Sequence, residues 1–384
     1  NYMSTKLETR LFLSPPHMSG KELQYIEDAF ASNWIAPAGP DIQAFEKSVC
    51  EYTGATNAVA LSSGTAAIHL ALLVSRIGVG DDVFCSTFTF AGSVFPVTYC
   101  GAKLVLIDSE QKSWNMDPEL LSEAIENSKR KGRVPKAVIA VHLYGQSANV
   151  GEIKTICEKN NLICIEDAAE SLGTYCQGLH TGTIGDFGIF SFNGNKIITT
   201  SGGGMLIGKS AELIERARFL STQARDPFPY YHHTNIGYNY RLSNVLAAIG
   251  RGQISVIEER VQRRRELFEF YSNAFKTADG ITMIPIDTYG RSNCWLSCIL
   301  IDYKITKKTP EDLRIALEQQ NIESRPLWKP MHLQPVFKSM ANVVNGTSES
   351  LFNCGLCLPS GSQMSDEDLD RVANNIKKII NNSL

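Results

Sequence analysis

Apolar residues at positions 42, 45, 49 and 52 return on one face of a helical repeat that Gly54 can stop, so the pattern predicts a helix over 41–52. The next apolar run is continuous rather than periodic. Ala58-Val59-Ala60-Leu61 reads as a short strand covered on both faces. Ser62-Ser63-Gly64-Thr65 interrupts it, and a helical stretch over 66–75 follows. The alternation repeats, with strands predicted over 82–86, 103–107, 137–142 and 162–166 and helices over 90–99 and 150–160. Asp117 followed by Pro118 reads as the N-cap and first residue of another helix. Short apolar strands between amphipathic helices specify an α/β fold, a mostly parallel sheet flanked by helices.

Beyond residue 250 the spacing changes. A long, charged helix is predicted over 253–275, a strand over 295–301, a helix over 309–320 opened by a Thr-Pro cap, and a terminal helix over 366–380. The expected organisation is a large α/β domain over 1–252, with an N-terminal arm, and a linking helix plus a smaller α+β domain over 253–384.

Composition narrows the function classes. With 43% apolar and 20% charged residues, the chain has the means to bury a sizeable core. Lys and Arg number 37 against 40 Asp and Glu, and the net charge of −3 gives no long-range pull toward nucleic acid or an anionic membrane. The clusters Lys129-Arg130-Lys131 and Arg263-Arg264-Arg265 read as solvated helix faces. No run approaches the ~18–20 apolar residues of a membrane span. Residues 1–13 lack the uninterrupted apolar core of a secretion signal, so a cytoplasmic location is expected. The ten cysteines are too irregularly spaced for a disulfide scaffold. Cys354-Gly355-Leu356-Cys357 stands alone, without the further ligands that zinc needs, and is expected reduced and packed, with no metal. His232-His233 is expected on a loop or interface.

Candidate chemistry sits where predicted strands end. Ser62-Ser63-Gly64-Thr65 precedes a helix, so it is either an anion cradle or a plain N-cap. Asp167, in Ile165-Glu166-Asp167-Ala168-Ala169, either faces a flat ligand or caps the next turn. Lys196 follows Phe190-Ser191-Phe192-Asn193-Gly194-Asn195 and precedes Gly202-Gly203-Gly204. Taken singly, it could be a surface residue. Together, an anion cradle, a carboxylate and a lysine in this order match the needs of pyridoxal phosphate: a phosphate site, a partner for the pyridine nitrogen and a covalent anchor that also carries protons.

The ordered motifs resemble those of the DegT/StrS-type sugar-nucleotide aminotransferases over nearly the whole chain. They are Ser63-Gly64-Thr65-Ala66, Glu166-Asp167-Ala168-Ala169-Glu170, Ser191-Phe192-Asn193-Gly194-Asn195-Lys196, Gly237-Tyr238-Asn239-Tyr240-Arg241-Leu242-Ser243 and Arg325-Pro326-Leu327-Trp328 through His332. Leu13-Ser14-Pro15-Pro16-His17-Met18, Ser221-Thr222-Gln223-Ala224-Arg225 and Leu358-Pro359-Ser360-Gly361 resemble the bacillosamine-pathway branch.

The resemblance implies the aspartate-aminotransferase-like fold (fold type I) and a pyridoxal phosphate-dependent transaminase. It would move the amino group of glutamate to C4 of a UDP-linked 4-keto-6-deoxy-N-acetylhexosamine. It makes Lys196 the cofactor lysine and Asp167 the partner of the ring nitrogen. Gly64, Thr65 and Ser191 would hold the phosphate, and Phe90, or alternatively Phe88, would stack on the ring. Asn239 would reach the phosphate of the other subunit of a homodimer, and Arg325 and His332 would lie near the sugar nucleotide. Many family members carry Gln or His at Glu170, a position near the cofactor ring oxygen, and a carboxylate there requires a donor or a proton. A lysine at 196 favours transamination over the dehydration performed by members with His there. Other readings are a GDP- or dTDP-linked or 3-keto substrate, or a regulatory cofactor-binding protein.

Overall fold

The computed structural model describes residues 9–286 and 288–381. Its centre is an eight-stranded sheet in the order Asn57–Leu61, Gly204–Gly208, Phe187–Ser191, Ile163–Asp167, Val134–Val141, Asp81–Ser86, Lys103–Ile107 and Ala341–Val343. The six strands from Phe187–Ser191 to Ala341–Val343 are parallel, and Gly204–Gly208 runs antiparallel to both its neighbours. Apolar runs such as Leu104-Val105-Leu106-Ile107 and Ala137-Val138-Ile139-Ala140-Val141 within these strands are buried because both faces are covered. Helices Gly64–Val74 and Ala211–Ser221 pack on one face, and Pro118–Arg130 and Val150–Lys159 on the other.

A second, four-stranded antiparallel sheet orders Ile281–Met283, Cys298–Ile301, Gly355–Cys357 and Arg325–Pro326. Against it lie helices Ile257–Phe275 and Asp366–Asn381, the latter burying Leu369, Val372, Ala373, Ile376 and Ile380 along one stripe. The chain crosses between the two sheets at both ends. Leu11 bridges Ile322 beside the small sheet, and Ala341–Val343 adds the outer parallel strand of the large one. Asp108, just past strand Lys103–Ile107, accepts the N–H groups of Asn345, Gly346 and Ser348 at 2.9–3.1 Å and fixes that return.

Several expected boundaries move, each for a local reason. The stretch 90–99 is a 3₁₀ turn, Ala91–Ser93, followed by a separate helix, Phe95–Tyr99, because Pro96 belongs in a first turn and not inside a longer helix. The long helix starts at Ile257, since Gln253 belongs to the preceding helix Asn244–Ile254, where its side chain bonds Thr199, His17 and Glu22. The strand expected over 295–301 begins at Cys298, for Cys294 takes φ +51° and turns Trp295 inward. Arg263-Arg264-Arg265 is not a solvated face: Arg264 is 1% exposed. Cys354 and Cys357 are free thiols. The near neighbour of Cys357 is Cys298 across the small sheet, Sγ to Sγ 3.7 Å. Among the described residues no helix is long and apolar enough to cross a membrane.

Candidate active site

Neighbouring parallel strands deliver their carboxyl ends to one edge of the large sheet, the usual ligand edge of an open α/β fold. A cleft of about 1000 Å³ lies there. Gly64, Thr65, Phe90, Asp167, Glu170, Ser191 and Lys196 all line it. Helix Gly64–Val74 begins two residues before the expected start, with Ser63 as N-cap accepting from the Ala66 N–H at 3.0 Å. The N–H groups of Gly64 and Thr65 therefore stand free of the helix ladder beside the Ser191 side chain, an arrangement suited to an anion. The last of the three glycines, Gly204, explains how the cradle closes. A Cβ on Gly204 would stand 2.3 Å from the Ser63 backbone, so only glycine lets strand Gly204–Gly208 pass beneath it. Gly92 likewise leaves room for the Thr65 hydroxyl, which a Cβ would meet at 2.8 Å.

Asp167 ends its strand with a buried carboxylate held at two points, by the Ser93 hydroxyl at 2.6 Å and the Ala169 N–H at 3.1 Å. Its neighbour Glu166 faces the other way. It accepts from His142 Nε2 at 2.9 Å and from the N–H groups of Gly182, Ile184 and Gly185 at 2.6–2.7 Å. Burial works against its charge, but His142 and these N–H groups prevail and hold it below the ordinary carboxylate range. One carboxylate of the motif thus braces the turn while the next faces the cleft.

Lys196 Nζ lies 3.5 Å from Glu170 Oε1 and 4.1 Å from the centroid of the Trp295 ring. Glu170 finds its second donor in the Tyr144 N–H at 2.7 Å. Burial pushes the Glu170 carboxyl above its usual range, against the opposing pull of Lys196 and the Tyr144 N–H. Tyr144 makes that bond from φ +53°, ψ 21°, a conformation costly for an aromatic residue and characteristic of functional turns.

The two candidate stacking residues separate clearly. Phe90 is 54% exposed and lines the cleft, its ring centroid 5.5 Å from that of Trp328. Phe88 is 1% exposed and packs in the core against Tyr144. Three expected residues lie outside the cleft. Arg325 borders an adjoining pocket of about 650 Å³, paired with Glu323 at 2.8 Å. His332 fastens its 3₁₀ turn to Thr87, its N–H donating to Thr87 Oγ1 at 3.0 Å and its Nδ1 lying 2.8 Å from the same hydroxyl, and burial lowers its pKa. Asn239 is exposed and holds Gln223 Nε2 at 3.0 Å.

Sequence reasoning assigned no role to Ser93, Tyr144, Trp295 or Trp328. Tyr144 acts through its backbone and Ser93 through a turn hidden in an expected helix, so neither carried a signal. Trp328 stood within a quoted motif and could have been found there.

A primary amine, a buried carboxylate and an N–H and hydroxyl cradle around one cleft are the donor set that pyridoxal phosphate requires, and these residues fit it. Comparison with known proteins agrees. The profile of the DegT/DnrJ/EryC1/StrS aminotransferase family matches residues 16–377. EpsN of Bacillus subtilis (strain 168), provisionally named a pyridoxal phosphate-dependent aminotransferase, is 50% identical over 370 residues, covering 95% of each chain. A GDP-perosamine synthase of Caulobacter vibrioides is 34% identical over 94% of this chain and 96% of its own. The crystal structure of a DegT DnrJ EryC1 StrS aminotransferase from Brucella abortus superposes with a TM-score of 0.87 at 30% identity, covering 94% of this chain and 95% of that one. With the lysine, the aspartate and the cradle in place on this fold, the chain belongs to the DegT/DnrJ/EryC1/StrS aminotransferase family and is a pyridoxal phosphate-dependent enzyme.

Proposed function

We propose that this enzyme moves the amino group of glutamate to the C4 keto carbon of a UDP-linked 4-keto-6-deoxy-N-acetylhexosamine. The product would be UDP-4-amino-4,6-dideoxy-GlcNAc, for bacterial glycan synthesis. The observation that carries this reading is the pocket continuing from the cofactor cleft, which shares Asn195 and Trp328 with it. Its walls combine the near-parallel rings of Tyr144 and Trp328, 6.5 Å apart, with Arg325 at the rim. Flat rings suit a sugar, and a guanidinium suits a diphosphate. The Arg325–Glu323 pair is exposed on the arginine side, so exchanging partners costs little.

Pyridoxal phosphate, held by Lys196, Asp167 and the Gly64, Thr65 and Ser191 cradle, would supply the electron-withdrawing ring that makes proton removal beside the amino group feasible. Asp167, locked by Ser93 and Ala169, presents its carboxyl group to the cleft in one fixed orientation. Lys196 Nζ is the proton carrier, taking a proton from the donor's α-carbon and returning one to C4 of the acceptor sugar. Glu170 and the Trp295 ring hold that amine in place from two sides.

The working unit is proposed to be a homodimer. Asn239 lies off its own cleft, near an exposed aromatic loop bearing Phe228, Tyr230 and Tyr231, and this supports its reaching the other subunit's phosphate cradle. A GDP-linked substrate is the second reading, favoured by the perosamine synthases at 33–34% identity.

The deciding experiment is a one-pot turnover with glutamate and 4-keto-6-deoxy sugar nucleotides carrying UDP, GDP or dTDP, read by mass spectrometry. Amination of the UDP-acetamido sugar alone is expected. Amination of the GDP sugar instead would overturn the substrate and keep the chemistry. No amination by cofactor-loaded protein would overturn the reading.

A further inference from the structure

Arg264 is an anomaly among the basic residues of helix Ile257–Phe275. It is fully buried, and among the described residues no carboxylate lies within ion-pair distance of it. Burial, with Arg260 nearby, pushes its guanidinium down to about 9. A site that only needed filling would be better served by an apolar side chain of similar volume. What the guanidinium does instead is hold two acceptors at once. Nη1 donates to the Trp295 carbonyl at 2.5 Å and Nη2 to Ser14 Oγ at 3.0 Å.

Both partners then converge on a single atom. The Ser14 hydroxyl donates to the Asn195 carbonyl at 2.7 Å, and Trp295 Nε1 donates to the same oxygen at 2.8 Å. The ring of contacts therefore closes on the peptide that joins Asn195 to Lys196. Trp295 is fixed at its carbonyl and at its indole nitrogen, and its ring lies 4.1 Å from Lys196 Nζ. Four separate stretches of chain meet here: the N-terminal arm, the loop bearing the lysine, the turn before strand Cys298–Ile301, and the long helix.

We propose that Arg264 is a positioning residue for Lys196, setting the lysine's backbone through Ser14, Trp295 and the Asn195 carbonyl, and its amine through the Trp295 ring. A forked, planar guanidinium is pre-organised to hold two separate acceptors, whereas an ammonium carries its donors on one compact head at the end of a flexible stem. The proposal rests on Lys196 being the reactive lysine, and the test keeps the two apart.

The experiment uses the full chain carrying Arg264→Met, Arg264→Lys, Ser14→Ala, Trp295→Phe and the Ser14→Ala/Trp295→Phe double substitution. The first readout is the rate of reductive methylation of Lys196 in cofactor-free protein, by peptide mass spectrometry, relative to the exposed Lys47. The second is kcat against KM in cofactor-loaded protein. Arg264→Met is expected to change the relative rate at Lys196 and to lower kcat by about 10- to 100-fold, the scale of a misplaced reacting group, with KM nearly unchanged. Arg264→Lys should fall between it and the parent. Ser14→Ala and Trp295→Phe each leave one donor on the Asn195 carbonyl, so the double variant should lose more than the product of the single losses.

A folded Arg264→Met with the parent's Lys196 reactivity and kcat would overturn the proposal. If that variant does not fold, the Ser14/Trp295 pair decides, and purely multiplicative effects there overturn it. A Lys196→Ala variant that still turns over would remove Lys196 as the reactive lysine, while altered Lys196 reactivity in Arg264→Met would leave the positioning standing.

Discussion

Replacing Glu46 by Gln tests how the N–H cradle at the start of helix Gly64–Val74 is held from behind. Glu46 is 7% exposed, on helix Pro40–Thr53. Its Oε1 accepts from Arg241 at 2.6 Å, Arg218 at 3.0 Å and the Ala60 N–H at 2.7 Å, while Oε2 takes a second bond from Arg218 at 3.1 Å. Arg241 also reaches the Ala60 carbonyl at 2.8 Å, and the next peptide back, the Tyr240 carbonyl, accepts the Ser62 N–H at 2.7 Å. The carboxylate thus neutralises two arginines and ties strand Asn57–Leu61 to the loop that follows it into the cradle. Glutamine keeps the volume and one acceptor but points an NH₂ at Arg218 and removes the shared counter-charge. Breaking a buried pair by removing one partner costs ~3–5 kcal/mol. Arg218 is partly solvated, its side chain 28% exposed, so the expected loss lies at the low end, about 3 kcal/mol. Urea unfolding of the cofactor-free protein at neutral pH measures it. Glu215→Gln, which removes the exposed partner of Arg218 at 3.1 Å, serves as the reference, expected within ~0.5 kcal/mol of the parent. A Glu46→Gln loss below ~1 kcal/mol would refute the argument that this node is buried and uncompensated.

Other outcomes follow from the same geometry. Lys196→Ala should fold and bind cofactor non-covalently, with turnover down by at least ~10²-fold in a coupled glutamate assay, the lower range for a positioned proton carrier. Glu170→Gln should change the pH dependence of stability. Because the folded carboxyl binds its proton more tightly than the unfolded one, parent stability falls as pH rises from the ordinary carboxylate range through the raised value. Thermal melts from pH 4 upward should therefore show the variant gaining on the parent across that window, and a constant difference would contradict the assignment. Phe88→Ala should cost ~3–5 kcal/mol as a core truncation, whereas Phe90→Ala should weaken cofactor binding, read by visible absorbance, with little loss of stability.

How far the residues alone lead is clear from particular cases. The apolar strands at 58–61 and 103–107 were readable because a strand covered on both faces, whether paired antiparallel like the first or parallel like the second, shows a short continuous apolar run. Asp167 stood out because it ends a strand and is followed by two alanines, and Lys196 because it follows Asn193-Gly194-Asn195 and precedes three glycines; both line the cleft. Arg264 was misread, since three consecutive arginines carry no mark of which one a helix turns inward. Tyr144 and Ser93 were invisible for a different reason. One acts through a main-chain N–H and the other from a turn whose position depends on Pro96. The spread of the site between cleft and adjoining pocket, with Arg325 in the second, is a property of tertiary packing that no local spacing encodes.

The outer parallel strand Ala341–Val343 bears on how the chain is made as well as on what it becomes. A ribosome delivers residues in order, so strand Lys103–Ile107 emerges long before the partner that covers its edge. Until residue 343 is out, that strand presents unpaired N–H and C=O groups, and Asp108 lacks the three N–H donors it later accepts. At ~5–20 residues per second, the wait lasts roughly 10–50 s. During it, the nascent sheet has an open template on its margin, a natural place for a chaperone to bind and for a second nascent chain to pair wrongly. Truncations that end before residue 341 should keep that exposed margin permanently and aggregate, even where they retain every residue of the cofactor cleft up to Lys196.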